Sequence, residues 1–325
     1  MAPDQDSPHE TADYGPELAV EWSRLAYEIA YAEDQFQTFK GQRALAMMHL
    51  AIHDALQAIV PVYAAFGQES SEPSADPIAA AARAAHDVVV AAYPDRSTDV
   101  HALLDRWLSR TQASDAAIIL GTTLGRASAQ AIIAARQNDG WDEPGSYEFR
   151  NGPGQYRTTP PWDGVALQPG FRHTRPFTFD DPARFLPPPP PALDSPEYAE
   201  ALNEVRLQGD STSTVRTADE TGYAVWWMEF SESAAGRVAR RMLLESDLDL
   251  WGANRVLAKL YIALLDGYIV VWESKYEYNH WRPYTSIRAA ATDGNPATAA
   301  DADWVPLRTT PPFPEYVSAH ATGCA

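Results

Sequence analysis

Leu45-Ala46-Met47-Met48-His49-Leu50-Ala51-Ile52-His53-Asp54-Ala55-Leu56-Gln57-Ala58-Ile59-Val60-Pro61 sets the fold class. Leu45, Met48, Ile52, Leu56 and Ile59 recur at the spacing of one buried helical face, and Pro61 stops the run because it has no N–H to donate. Upstream, Pro16 suits a first helical position and Leu18, Trp22, Leu25 and Ile29 follow with the same period. Downstream, Asp76-Pro77 reads as an N-cap and first residue of an Ala-rich helix to Tyr93, and further helices are expected from Ser97 and Ser114. No alternating strand pattern and no fixed repeat interrupts this text. Residues 16–140 therefore read as a helical bundle, behind a disordered tail of residues 1–15.

Residues 141–196 break the pattern. They hold 13 of the 26 prolines, including Pro187 to Pro191, together with Trp162, Phe171, Phe177 and Phe185. A flexible linker would be poor in large aromatics, so an ordered, irregular excursion packed on the bundle is expected. Helices resume at Ser195-Pro196, at a Thr217/Glu220 capping box, near Ala234 and from Leu250 to Trp272. Residues 197–325 read as a second bundle carrying the active site. It ends at Thr322-Gly323-Cys324-Ala325 with no finishing helix.

Composition narrows the function. With 325 residues, 45% hydrophobic and 21% charged, the chain is long enough to bury a large core. A formal charge of −19 argues against nucleic acid or an anionic membrane as partner. No apolar run is expected to reach the ~20 residues of a membrane span. Cys324, the single cysteine, excludes an internal disulfide framework and Cys-rich metal sites. The start, Met1 to Asp6, has no apolar core of a signal peptide; a cytoplasmic protein or an exported one without its leader would both look like this.

His49 and His53, one turn apart, have the spacing of a metal pair, but Leu50 stands where a zinc protease needs Glu. They are read as hydrogen-bonded core residues. Asp266, in an apolar helix, is read the same way. Lys275-Tyr276-Glu277-Tyr278-Asn279-His280-Trp281-Arg282-Pro283 is different. Only three lysines exist, Lys40, Lys259 and Lys275, and Asn279 and Pro283 imply that the helix unwinds between the two cations. An ammonium and a guanidinium converging on one point suit a tetrahedral oxyanion; a surface pair capping a helix is the alternative. In Pro311-Pro312-Phe313-Pro314-Glu315-Tyr316-Val317-Ser318-Ala319-His320, a helix opening at Ser318 would offer that hydroxyl and the Ala319 N–H to an anion, with His320 beside them to move a proton.

Together these segments resemble the vanadium-dependent haloperoxidases, within the superfamily that includes the type-2 phosphatidic acid phosphatases and bacterial acid phosphatases. The family pattern is Lys, six residues, Arg-Pro; then Pro-Ser-Gly-His; then Ser-Arg, five residues, His. Lys275 to Pro283 match the first part in full, and Val317-Ser318-Ala319-His320 match the second with Val for Pro and Ala for Gly. The third does not occur after His320. Trp272 and Phe313 fall where fungal-type chloroperoxidases carry aromatic pocket walls, which favours haloperoxidase over phosphatase.

The resemblance implies an all-α, helical-bundle fold whose second bundle is incomplete or naturally shortened. It implies vanadate as cofactor, with phosphate competing, held by Lys275, Arg282, Ser318 and the Ala319 N–H, and His320 as the acid–base residue. Hydrogen peroxide, a halide and a small organic acceptor are the implied partners, and a homo-oligomer is left open. The family's axial His ligand to vanadium belongs to the third part, so catalysis by this chain is expected to be impaired. A phosphomonoesterase on the same scaffold and a non-catalytic oxyanion- or partner-binding remnant are the alternatives. Core positions from Leu257 to Leu265 are further expected to lack partners and form an exposed apolar patch.

Overall fold

The computed structural model describes residues 9–34, 39–67 and 69–324. Among them are eleven α-helices, several 3-10 turns and no strand. The helices are α1 (Glu17–Asp34), α2 (Phe39–Ile59), α3 (Pro77–Ala92), α4 (Ser97–Leu108), α5 (Asp115–Ala135), α6 (Pro196–Gln208), α7 (Ala218–Trp226), α8 (Ser231–Leu244), α9 (Leu250–Tyr278), α10 (Pro283–Arg288) and α11 (Ala319–Cys324). Two compact units result: residues 1–139 with 232–265, and residues 140–231 with 266–325. Residues 232–265 thus go with the first helices rather than with the C-terminal segment that follows them in sequence.

Local chemistry explains the helix starts. Asp76, Ser114 and Ser195 each accept the N–H three residues on, and Thr217 and Glu220 bond reciprocally. In the first unit α2 is buried almost throughout, between α1, α3 and α5. Gly121 and Gly125 let α5 close on α3: a Cβ at either would stand 2.5 and 2.2 Å from the carbonyls of Asp76 and Ala80. By length and composition α5 is apolar enough to cross a membrane, the one such helix among the described residues. That corrects the expectation that no run approaches this length.

Further corrections concern the ends and the apolar surface. Residues 1–8 of the expected tail lie outside the described residues. Residues 9–15 are ordered: Tyr14 packs on Trp251 at 5.9 Å and its carbonyl accepts the Leu250 N–H at 2.7 Å. Residues 319–324 form a short helix that opens just after Ser318, as the anion-site reading supposes, and takes in Thr322 to Cys324, where no helix is expected from the sequence. Leu257, Tyr261, Leu264 and Leu265 are all buried. Exposed apolar residues include Val238, Met242 and Leu244 on α8, and Tyr223, Trp226, Trp227 and Met228 on and just after α7.

The second unit is built on the C-terminal part of α9. Leu167 O accepts from Tyr276 Oη (2.5 Å) and Trp272 Nε1 (3.4 Å), and Arg172 holds Glu273 through two hydrogen bonds. Asp266 accepts from the N–H groups of Phe177 and Thr178. These bonds fix the Pro-rich segment as ordered irregular chain. They also carry α9 past Trp272, since its polar last turns find partners there. Tyr198, Leu202, Trp281, Ile287 and Trp304 form this unit's small core.

Candidate functional site

Helix α9 ends as its sequence suggests. Asn279 takes φ 49°, in the left-handed region that Asn tolerates, and the chain runs extended until Arg282 caps α10. Tyr156 N–H binds Asn279 O at 2.9 Å, and Trp281 N–H binds Gly154 O at 2.9 Å. This break returns Arg282 toward Lys275. Both cations face one ring, Phe313: Lys275 Nζ lies 4.9 Å and Arg282 Cζ 4.5 Å from its centroid. Trp272 packs on Phe313 with centroids 5.1 Å apart.

The lysine is fully buried and donates to three carbonyls: Pro314 at 2.9 Å, Glu315 at 2.7 Å and Val317 at 2.6 Å. Burial, then the Arg282 charge, push its pKa well below the usual lysine value. Three acceptors for three N–H groups hold the ammonium form nonetheless, because a neutral amine would leave one carbonyl without a donor. Lys275 therefore offers an oxyanion its charge rather than a free proton. Arg282 donates Nε to Phe313 O at 2.6 Å, while its Nη2 is buried with no acceptor. Burial also lowers the Arg282 pKa, and Glu315 opposes that shift. An orphaned, buried, cationic donor is what an oxyanion site requires. The residues present fit an oxyanion on this count.

Ser318, Ala319 and His320 follow Val317 on and just before α11. Ser318 Oγ accepts the Ala321 N–H at 3.2 Å, and His320 Nε2 bonds Glu229 O at 3.1 Å. Neither side chain forms a hydrogen bond with Lys275 or Arg282 among the described residues. Of the seven residues singled out, the structure brings Trp272, Lys275, Arg282 and Phe313 into one cluster and sets the other three on the adjoining segment. Sequence reasoning missed Glu315, whose carboxyl pKa is raised by burial and pulled back by Arg282 and Lys275. Its one signal was an acid among Pro312, Phe313, Pro314 and Tyr316. It also missed Tyr156 and Tyr276, phenols pushed up by burial and close enough to Arg282 to feel its charge. A cavity of about 480 Å³, lined in part by Tyr147, Arg172, His173, Tyr276 and Asn279, borders the same helix end.

The histidine pair behaves as read. His49 Nδ1 bonds Asn254 Oδ1 at 2.8 Å and its ring stacks on Tyr261, while His53 Nε2 bonds Ala64 O at 3.0 Å. Burial pushes the His49 pKa down to about 4, which keeps the ring neutral.

Residues 255–325 match the family model described as the VCPO second helical-bundle domain. Vanadium chloroperoxidase of Curvularia inaequalis is 28% identical over 172 residues, which cover 42% of this chain and 27% of that protein. The chain thus spans about a quarter of this curated relative's length. Among solved structures, the first bacterial vanadium-dependent iodoperoxidase superposes with a TM-score of 0.76 at 22% identity, over 97% of this chain and 79% of that one. A holo-type bacterial vanadium-dependent chloroperoxidase follows with a TM-score of 0.63 at 18% identity, over 98% and 78%. The two solved structures share this chain's fold.

Proposed function

We propose that the chain is a vanadium haloperoxidase-like protein that binds a vanadate-type oxyanion, because it shares the fold of solved vanadium-dependent peroxidases and its residues 255–325 match the second helical-bundle domain of that family. The observation that carries the proposal is Arg282 Nη2, a buried cationic donor without an acceptor beside a buried lysine. Bound vanadate would supply the activation of hydrogen peroxide toward halide. The chain's own residues do the rest. Arg282 donates to the anion, Lys275 adds charge and pins the 314–317 loop, and Trp272 and Phe313 wall off water. Ser318 and the Ala319 N–H are assigned further oxygen contacts from the family pattern. His320, freed from Glu229 O, gives or takes the proton at Nε2. The cavity beside Tyr276 is the space assigned to a small organic acceptor.

The Ser-Arg-five-residue-His pattern does not occur in these 325 residues, so the histidine with which the family pattern would hold bound vanadate is not among them. Residues 1–325 are therefore expected to hold vanadate or phosphate weakly and to oxidise halide poorly. The test is halogenation of a phenolic dye with hydrogen peroxide and halide, with and without vanadate. Appending a segment that carries Ser-Arg-five-residues-His should raise vanadate-dependent turnover at least a hundredfold. Full activity of residues 1–325 alone would refute the missing-donor argument. Hydrolysis of a phosphate monoester in place of halide oxidation would establish the phosphatase reading, and anion binding without either reaction the binding-only one.

A further inference from the structure

Glu315 is the charged group in the cluster that the function above leaves unused. Its N–H donates to His280 O at 3.0 Å and its C=O accepts from Lys275 Nζ at 2.7 Å, so the residue is pinned from both sides. The carboxylate feels both cations and each of them feels it. Yet among the described residues it forms no ion pair or hydrogen bond with either, and Arg282 Nη2 stays without an acceptor. A counter-ion placed only for stability would make contact. Glu315 is held near the pair and short of it, which leaves the donor available and the net local charge near +1.

We propose that Glu315 is a specificity-determining counter-charge of the oxyanion site, opposing anions in proportion to their charge and so favouring singly charged tetrahedral anions over doubly charged ones. This rests on the reading of Lys275 and Arg282 as an oxyanion site. The reasoning is Coulombic: at a fixed position, repulsion by one carboxylate is twice as large for a dianion as for a monoanion. Removing it multiplies dianion affinity by the square of the factor gained by a monoanion. A contribution to affinity alone, by contrast, would move both anions equally.

Sulfate and perchlorate are tetrahedral and differ chiefly in charge, so they are suitable probes for calorimetric titration of the full 325-residue chain. Glu315→Gln should bind sulfate about tenfold more tightly than the unaltered chain and perchlorate only about threefold more tightly. Glu315→Asp, which keeps the charge, should match the unaltered chain. Glu315→Ala should reproduce the Gln result, and it serves as the second uncharged variant if far-UV circular dichroism shows Glu315→Gln misfolded. Equal gains for the two anions, no gain, or weaker binding would overturn the proposal. If sulfate binds and Arg282→Ala abolishes that binding while Glu315→Gln changes nothing, the counter-charge falls and the oxyanion site stands. If sulfate binds neither the unaltered chain nor Glu315→Gln, both fall.

Discussion

Two cations and one acid are wired in two ways in this molecule. In the first unit, Asp139 Oδ2 touches Arg43 Nε at 2.9 Å and Arg136 Nε at 2.8 Å, and Arg43 also holds the Arg136 carbonyl at 2.6 Å. In the second unit, Lys275 spends its donors on three carbonyls, that of Glu315 among them, Arg282 spends Nε on a fourth, and the Glu315 carboxylate bonds neither cation. In the first triad both cations are bonded by their own acid through Asp139 Oδ2, while its Oδ1 is buried without a donor. The second is left open at Arg282 Nη2 and is suited to take an anion from outside. Residue types do not distinguish the two; the partners of each donor do.

The largest expected effect tests the closed triad. Asp139→Ala leaves two guanidinium groups facing each other and should cost about 3–5 kcal/mol in urea denaturation, with anion binding unchanged. Glu315→Gln, which breaks no direct contact, should cost less than about 1 kcal/mol in the same assay. Similar losses for the two would erase the distinction between closed and open wiring.

Acid should act on the two units with opposite sign. The folded-state pKa of His49 is about 4, against an ordinary 6.5, so the unfolded chain binds more protons between these values. Stability from His49 is full above pH 6.5 and is lost as pH falls toward 4, by about 3 kcal/mol in all. The Glu315 carboxyl is raised above 4.5, so its contribution is full below that value and is lost as pH rises through the raised pKa. Thermal melts across this range should show a steep acid loss that His49→Gln flattens. An unchanged slope in that variant would remove His49 as its source. Smaller still, Phe313→Leu should cost about 0.5–1.5 kcal/mol by removing the aromatic contact with Trp272. It should also loosen anion retention, since both cations rest on that ring.

Much of the fold was legible because its signals are local. The caps at Asp76, Ser114, Ser195 and Thr217 depend on residues three apart, and the break at Asn279 on one residue's tolerance of positive φ. What escaped depends on long-range contact. The order of residues 9–15 comes from Trp251 and Leu250, far along the chain. The extension of α9 to Tyr278 comes from Arg172 on Glu273 and Leu167 on Tyr276. In the site, the Lys275–Arg282 spacing pointed to convergence, but nothing in the sequence shows that Lys275 spends every donor on carbonyls. Nor does it show that the Glu315 carboxylate bonds neither cation. Those facts belong to the loop's path, which no local pattern encodes.

Phosphate titration of the 325-residue chain by calorimetry, with vanadate as competitor, decides whether Lys275 and Arg282 form an oxyanion site. One phosphate should bind per chain and be displaced by vanadate. Arg282→Ala should weaken it by about ten- to hundredfold, the loss of one charge-assisted hydrogen bond of about 1.5–3 kcal/mol. Asp139→Asn should leave it unchanged. Phosphate binding that survives Arg282→Ala intact, or binding that disappears in Asp139→Asn while its fold holds, would contradict the account.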